Sequence, residues 1–129
     1  MSDASRNLLS RFESGDIEPA SFAHCDHVRV AHEMLSQHDF VDACARYAST
    51  IKAMAESVDV PQKFNATITI AFLSLIAERM SRADSATFDS FLATNNDLLD
   101  KDVLETWYSS ERLGSELARS QFVLPDKVA

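Results

Sequence analysis

The fold is decided by residues 40–58, which read FVDACARYASTIKAMAESV. Apolar side chains recur every three or four positions through this stretch, and polar side chains occupy the opposite side of the helical projection. Asp39 immediately precedes the stretch, and aspartate is a typical helix cap. The pattern therefore predicts an amphipathic helix of about five turns. Its apolar stripe consists of Phe40, Cys44, Tyr47, Ile51, Met54 and Val58.

The segments on either side are also helical in character. Residues 3–14 and 22–37 are amphipathic, with Gly15 placed to end the first helix and Ser21 placed to cap the second. Residues 64–81 are apolar almost all round, which is typical of the central helix of a bundle. Three shorter helices are expected to follow: one near 88–92 capped by Asp84 or Ser85, one at 98–108, and one at 111–122 capped by Ser109 or Ser110, with Pro125 ending the ordered chain.

Glycine and proline are scarce, since the 129 residues include two glycines and three prolines. Sheet proteins need these residues at their tight turns, so their scarcity favours long helices. No internal repeat or linker divides the chain. We therefore predict a single all-α domain over residues 1–129, a bundle of about four main helices with short C-terminal helices. Its expected parts are an N-terminal helix and loop (1–21), the core helices (22–83), and the short helices and tail (84–129).

The formal charge of −8 bears on partners and location. An acidic chain repels phosphate backbones and anionic lipid surfaces, so we expect neither nucleic acid nor membrane as a partner. The first residues lack the apolar segment of a secretion signal, and the longest apolar run is too short to span a bilayer. We therefore expect a cytoplasmic protein in which both cysteines are free thiols.

His24 and His27 are the unusual residues of the second helix. They lie three positions apart on its apolar face, where aliphatic side chains are expected. Such a pair can ligate a divalent transition metal or hold a small ligand, and in a catalytic site either neutral ring is the expected base. A second interpretation stays open, in which the two rings only form hydrogen bonds at the edge of the core. The opposite, polar face of this helix consists of Asp26, Arg29, Glu33 and Ser36.

Residues from other positions are candidate partners of the histidine pair. Glu78 interrupts an otherwise apolar helix, although an ion pair with Arg82 at i+4 is an alternative explanation. Thr67 belongs to a strip of small side chains on the same helix, which also suits close helix packing. The candidate ligand-binding residues are Asn65, Thr67, Glu78, His32 and Tyr47.

Familiar catalytic motifs are absent from the sequence. It contains no Glu-x-x-His repeat of a di-iron bundle, no Cys-x-x-Cys and no glycine-rich phosphate loop. These absences weigh against the corresponding metal, redox and nucleotide chemistries.

Three segments resemble a group of short, uncharacterised bacterial all-α proteins. They read FAHCDHVRVA at 22–31, KFNATIT at 63–69 and LLDK at 98–101, and the last continues through matching positions as far as Asp126. In that group the second segment is expected to read KYHETIT. The resemblance thus implies a histidine and a glutamate facing the His-x-x-His pair, as at a metal or acid–base site. Asn65 and Ala66 replace them here, which implies a chain that keeps the pocket and has lost the reaction.

These observations favour a small helical pocket protein. We expect a small ligand, with or without a metal, between the second and fourth helices. The alternative is a non-catalytic interaction or accessory protein, either self-associating or bound to a partner through its aromatic C-terminal section of Trp107, Tyr108 and Phe122.

Overall fold

The computed structural model describes residues 3–82 and 87–127. Within these ranges the chain is all-α, as predicted, and contains no strand. The helices are α1 (Asp3–Ser14), α2 (His24–Gln37), α3 (Phe40–Ser57), α4 (Ala66–Arg82), α5 (Phe88–Thr94), α6 (Ser110–Leu113) and α7 (Glu116–Ser120). Short 3₁₀ turns cover Pro19–Ser21, Pro61–Lys63, Asn96–Leu99 and Val103–Thr106.

Helices α2 and α4 form the centre of the bundle. Helix α2 contacts α1, α3, α4 and α5, whereas α4 contacts α2, α3 and α7. The buried apolar side chains form a cluster that extends from Leu9 in α1 to Val123 near the C-terminus. Among the described helices, none combines the length and the apolar character that crossing a bilayer requires.

Several helix ends follow the local chemistry of the sequence. Gly15 ends α1 with a positive φ of 79°, a conformation that glycine adopts without a steric penalty. Asp39 caps α3 by accepting a hydrogen bond of 2.8 Å from a first-turn N–H. Helix α5 is capped by the Thr87 hydroxyl, and the predicted caps Asp84 and Ser85 lie outside the described residues.

The predicted cap of α2 is wrong, and the helix begins two residues after the expected start near Phe22. Ser21 ends a 3₁₀ turn, and the helix begins three residues later. The Asp26 carboxylate accepts a hydrogen bond of 3.0 Å from the Ala23 N–H and so closes the first turn. Phe22 is therefore outside the helix, where its buried ring stacks against Phe12 with centroids 5.5 Å apart.

The predicted polar face of α2 is partly buried, because α1 packs against α2. Glu33 is fully buried, and its Oε2 accepts a hydrogen bond of 2.7 Å from the side chain of Gln37. Its Oε1 has no hydrogen-bond partner among the described residues. Arg29 reaches across to α1 and donates to the Ser5 hydroxyl at 2.9 Å. The helical pattern identified these residues as polar and did not show what covers them.

The C-terminal section breaks into shorter pieces than predicted. Two 3₁₀ turns replace the expected helix at 98–108. Two helices replace the one expected at 111–122, because Gly114 follows α6 and the Ser115 hydroxyl caps α7 by accepting from a backbone N–H at 3.1 Å. Of the two candidate caps of α6, Ser109 provides the hydrogen bond.

The chain after α7 is extended and attached to α4. The Thr67 hydroxyl donates to the carbonyl oxygen of Gln121 at 2.8 Å and accepts from the N–H of Val123 at 3.0 Å. The Tyr108 hydroxyl donates to the carbonyl oxygen of Val123 at 2.8 Å. These bonds hold the C-terminal segment against the part of the core that lies between α4 and α7.

Order continues beyond Pro125, contrary to the prediction. The Asp126 carboxylate accepts hydrogen bonds from the N–H and the hydroxyl of Ser109, both at 2.7 Å. The N–H of Lys127 donates to the carbonyl oxygen of Trp107 at 3.0 Å. Proline stops a helix here, but an extended chain can still bond to its neighbours.

Candidate functional site

A cleft of about 230 Å³ lies between α2, α3 and the beginning of α4. His24 and His27 line it from α2, and Tyr47 lines it from α3. The cleft is smaller than a pocket for a drug-sized ligand, so it suits a small organic molecule. The other described lining residues are Ile51, Lys63, Phe64, Asn65, Ile68, Thr69, Phe72, Lys101 and Leu104.

His24 is oriented by the backbone of the neighbouring 3₁₀ turn. Its Nε2 lies 2.9 Å from the carbonyl oxygen of Leu98. A carbonyl oxygen can only accept a hydrogen bond, so Nε2 carries a proton and donates it. In the neutral ring Nδ1 is then the acceptor. The ring also packs against Phe72 with centroids 5.3 Å apart.

His27 is held between an aromatic ring and a tyrosine hydroxyl. Its Nδ1 lies 3.0 Å from the hydroxyl oxygen of Tyr47, and its ring meets Phe22 edge-on at 4.4 Å. Burial and, next, the charge of His24 lower the pKa of His27 to about 4, against the opposing effect of Asp26. Burial also raises the pKa of Tyr47, so the hydroxyl and the His27 ring are both neutral at pH 7.

His27 is suited to hydrogen bonding more than to proton transfer. A general base works best when its pKa lies near the working pH, and the pKa of His27 lies well below 7. His24 donates through Nε2 to a backbone carbonyl, which leaves Nδ1 as the nitrogen that could accept a proton. The low pKa therefore weighs against His27 as the expected base, and each ring can present a polar atom to a ligand.

The described residues do not fit a transition-metal centre. Such centres use at least three protein donors, and no group of three or more His, Cys, Asp or Glu side chains in ranges 3–82 and 87–127 could hold an ion. One nitrogen of each ring forms a hydrogen bond, in His24 with Leu98 and in His27 with Tyr47, and the other nitrogen of each ring is left for a ligand. The proposed metal ligands His24 and His27 thus lack, among the described residues, the further donors that a metal would need.

Asn65 lines the cleft, but both ends of its amide are in use. Its Oδ1 accepts a hydrogen bond of 2.9 Å from the N–H of Ile68, and its Nδ2 donates to the carbonyl oxygen of Leu113 at 2.7 Å. Asn65 therefore caps α4 and ties it to α6. The position of an asparagine directly before a helix was the signal for this role.

The structure does not bring Thr67, Glu78 or His32 to the cleft. Thr67 is fully buried against the C-terminal segment, as described above. Glu78 is exposed with an oxygen 3.7 Å from Arg82, which is the alternative that its i+4 spacing suggested. It lines a separate groove of about 210 Å³ with residues of the C-terminal section, including Trp107.

His32 is buried against α5 instead of facing a ligand. Its ring centroid lies 5.4 Å from that of Phe88 and 4.8 Å from that of Phe91. Burial lowers its pKa, and its Nδ1 has no partner among the described residues. The spacing of His32 along α2 could not show which helix would cover it.

Two lysines of the cleft were missed by the sequence analysis. Lys63 ends the 3₁₀ turn before α4, and Lys101 lies between two later 3₁₀ turns. Both are exposed, which places them at the rim. Helical periodicity gives no information on residues in turns, so only their membership of the segments 63–69 and 98–101 could have drawn attention to them.

Segments that are distant in the sequence meet at this cleft. The residues quoted above from 22–31, 63–69 and 98–101 supply eight of its twelve described lining residues. No protein-family model, curated protein or solved structure matches the chain. The geometry of the cleft is therefore the basis of any functional proposal.

Proposed function

We propose that this protein binds a small organic molecule in the cleft between α2, α3 and α4. The observation that carries the proposal is the histidine pair that is held by hydrogen bonds on the wall of an otherwise mainly apolar cleft. Small-molecule sites commonly combine apolar walls with a few oriented polar groups that set the position of the ligand. His24 and His27 supply such groups, and Tyr47 fixes the orientation of His27.

Binding without catalysis is the form of the proposal that the chemistry favours. The Tyr47 hydroxyl lies beside His27, but burial raises the pKa of Tyr47, and the low pKa of His27 makes it a poor proton acceptor at neutral pH. The resemblance noted above points the same way, because the expected His-Glu pair is replaced by Asn65 and Ala66. We do not include a metal in the proposal, since residues 3–82 and 87–127 supply no further donors.

The test is an NMR titration with three neutral fragments, namely phenol, indole and benzyl alcohol. We expect saturable shifts of the backbone amides around Phe64 and Ile68, with Kd values in the millimolar range that is usual for fragments. The variant Ile68→Trp, which places a large ring at a lining position, should weaken binding at least about tenfold. Val41→Trp is the matched control, because Val41 is an exposed helical residue outside the cleft.

The histidine pair is tested in the same titration with the double variant His24→Ala/His27→Ala. It should retain the helical spectrum of the wild type and lose the saturable shifts. Fragments that bind equally well to the wild type, to this variant and to Ile68→Trp would disprove the proposal. So would an absence of saturable shifts at the cleft both with all three fragments and with the aliphatic ligands of the next section.

An interaction function is the second candidate, and exposed apolar side chains near the C-terminus favour it. Leu117, Phe122 and Leu124 are 51%, 44% and 70% exposed. The expected contribution of Tyr108 is excluded, because its side chain is buried and bonded to the backbone. Light scattering across a range of protein concentrations tests self-association. A dimer that Phe122→Ser/Leu124→Ser converts to a monomer would support this function, and a wild-type monomer at all concentrations would count against it.

A further inference from the structure

The cleft differs in charge from the rest of the chain. The sequence contains 20 acidic and 12 basic residues, yet no aspartate or glutamate is among the described lining residues. Two of the four lysines, Lys63 and Lys101, do line it. An acidic protein thus has a cleft whose only charged rim groups, among the described residues, are cations.

Within residues 3–82 and 87–127, neither of these two lysines forms an ion pair or a side-chain hydrogen bond. The arginines elsewhere behave differently: Arg46 lies 3.1 Å from a carboxylate of Asp42, and Arg79 lies 2.8 Å from one of Asp97. Unpaired cations beside a low-dielectric cleft raise the local concentration of anions. The charge arrangement therefore favours an anionic ligand.

The remaining surface of the cleft is mainly apolar, so the same ligand should also have an apolar part. Ile51, Phe64 and Phe72 form its walls, and a second groove of about 510 Å³ adjoins it. The two cavities share His27, Ile51, Lys63 and Phe64. The neighbouring groove is lined mainly by aliphatic and aromatic residues and also lacks acidic residues among those described. Together the cavities offer apolar surface that extends away from Lys63.

We propose that the ligand is a medium-chain aliphatic carboxylate. Its carboxylate group is neutralised by Lys63 and Lys101, and its chain lies along Ile51 and Phe64 towards the neighbouring groove. The neutral His27 ring donates a hydrogen bond to the carboxylate through its free N–H when Tyr47 donates to Nδ1. This inference rests on the proposed function and adds to it the chemical class of the ligand.

The experiment compares three ligands that share one chain and differ in head group: octanoate, 1-octanol and octylammonium. Their Kd values are measured by NMR shifts of the cleft amides at pH 7 and low salt. Octanoate should bind at least about tenfold more tightly than octylammonium, because the rim attracts one head group and repels the other. Its affinity should fall as sodium chloride is added, whereas the affinity for octanol should not.

The matched variants are Lys63→Gln/Lys101→Gln and Lys52→Gln. The double variant should weaken octanoate about fivefold, as expected for two partly screened ion pairs, and leave octanol unchanged. Lys52 is an exposed lysine of α3 outside the cleft, so its variant should bind all three ligands as the wild type does.

Each contrary outcome has a separate meaning. Octanoate binding no tighter than octanol or octylammonium, or unaffected by Lys63→Gln/Lys101→Gln, would overturn the carboxylate proposal. So would octanoate shifts that map away from the cleft. If the neutral fragments of the previous section bind in those cases, the proposed function still stands. If neither the fragments nor octanoate bind, both proposals fail.

Discussion

The imidazole of His27 occupies a site where its charged form is costly. Burial beside Tyr47 and His24 lowers its pKa to about 4, whereas an imidazole in the unfolded chain titrates near 6.5. Between these two values the unfolded chain binds a proton that the folded chain does not. The folded state therefore loses stability as the pH falls through this window, and the full contribution is present above pH 6.5. Burial of His32 acts in the same direction.

We predict that replacing His27 makes stability less dependent on pH. Going from about pH 7.5 to about pH 5.5 should lower the wild-type free energy of unfolding by about 1 kcal/mol through His27 alone. In His27→Gln this part of the loss should disappear, as urea denaturation at both pH values would show. His38→Gln is the control, because His38 is partly exposed and lies 3.2 Å from the Asp42 carboxylate. An unchanged pH dependence in His27→Gln would show that the ring does not resist protonation.

Glu33 is the residue where burial and charge conflict most clearly. Its carboxylate is fully buried, and one oxygen has no hydrogen-bond partner among the described residues. Glu33→Gln keeps the shape, removes the charge and can still accept from Gln37. We predict that this variant gains about 1 kcal/mol in the free energy of unfolding at pH 7. Glu78→Gln at an exposed site should change it by less than about 0.5 kcal/mol. A large loss in Glu33→Gln would mean that the protein compensates the buried charge.

At the scale of the helices, the features that could be predicted from the sequence are those that depend on the local pattern of apolar residues. The four long helices have sustained periodicity, so their existence and approximate bounds follow from the chain alone. The structure of the section after residue 95 does not follow from the local pattern, because its short helices and 3₁₀ turns are too small to be stable without tertiary contacts. The burial of Glu33 was missed for a related reason: the pattern of one helix does not reveal that α1 covers its polar side.

The difference between local pattern and tertiary packing also explains which residues of the candidate site could be predicted. His24, His27 and Tyr47 lie on apolar stripes of adjacent helices, so the periodic pattern indicated that they could meet. Which residues of α4 face this cleft depends on how the helices cross, and a single sequence does not give that information. Thr67 and Glu78 were therefore assigned to the cleft although they face the C-terminal section.

Thr67 joins the described C-terminal segment to α4 through two hydrogen bonds to backbone groups. It bonds to the carbonyl oxygen of Gln121 and the N–H of Val123, and it is fully buried. We predict that Thr67→Val, which has the same shape, lowers the free energy of unfolding by about 2 kcal/mol, because a buried N–H and a partly buried carbonyl oxygen lose their partner. Thr67→Ser keeps the hydroxyl and should cost less.

Hydrogen exchange provides a second measure of this connection. In Thr67→Val the amide of Val123 should exchange faster than in the wild type, while amides in α3 should change only as the global stability does. Equal stability of Thr67→Val and the wild type would show that water or another group replaces the hydroxyl.

At the scale of the whole molecule, the shared core leads us to expect that the described chain unfolds as one cooperative unit. The buried cluster includes side chains from α1, the central helices and the segment after α7. The section after α5 has no separate core of its own, since Leu104 and Tyr108 belong to that same cluster. Short helices that depend on a shared core are expected to unfold with it.

The single tryptophan makes this expectation measurable. Trp107 lies in the C-terminal section, directly after a 3₁₀ turn, and packs against the core. Its fluorescence therefore reports on the section after α5, whereas circular dichroism at 222 nm is dominated by the long helices α1 to α4. We predict that the two signals give the same midpoint and the same slope in urea, in the wild type and, shifted together, in Thr67→Val. A tryptophan transition at lower urea would show that the C-terminal section unfolds first and that the chain is not one cooperative domain. Since Leu104 lines both the histidine cleft and the separate groove that Glu78 and Trp107 line, such a result would also make one wall of the cleft mobile while α2 and α4 stay folded.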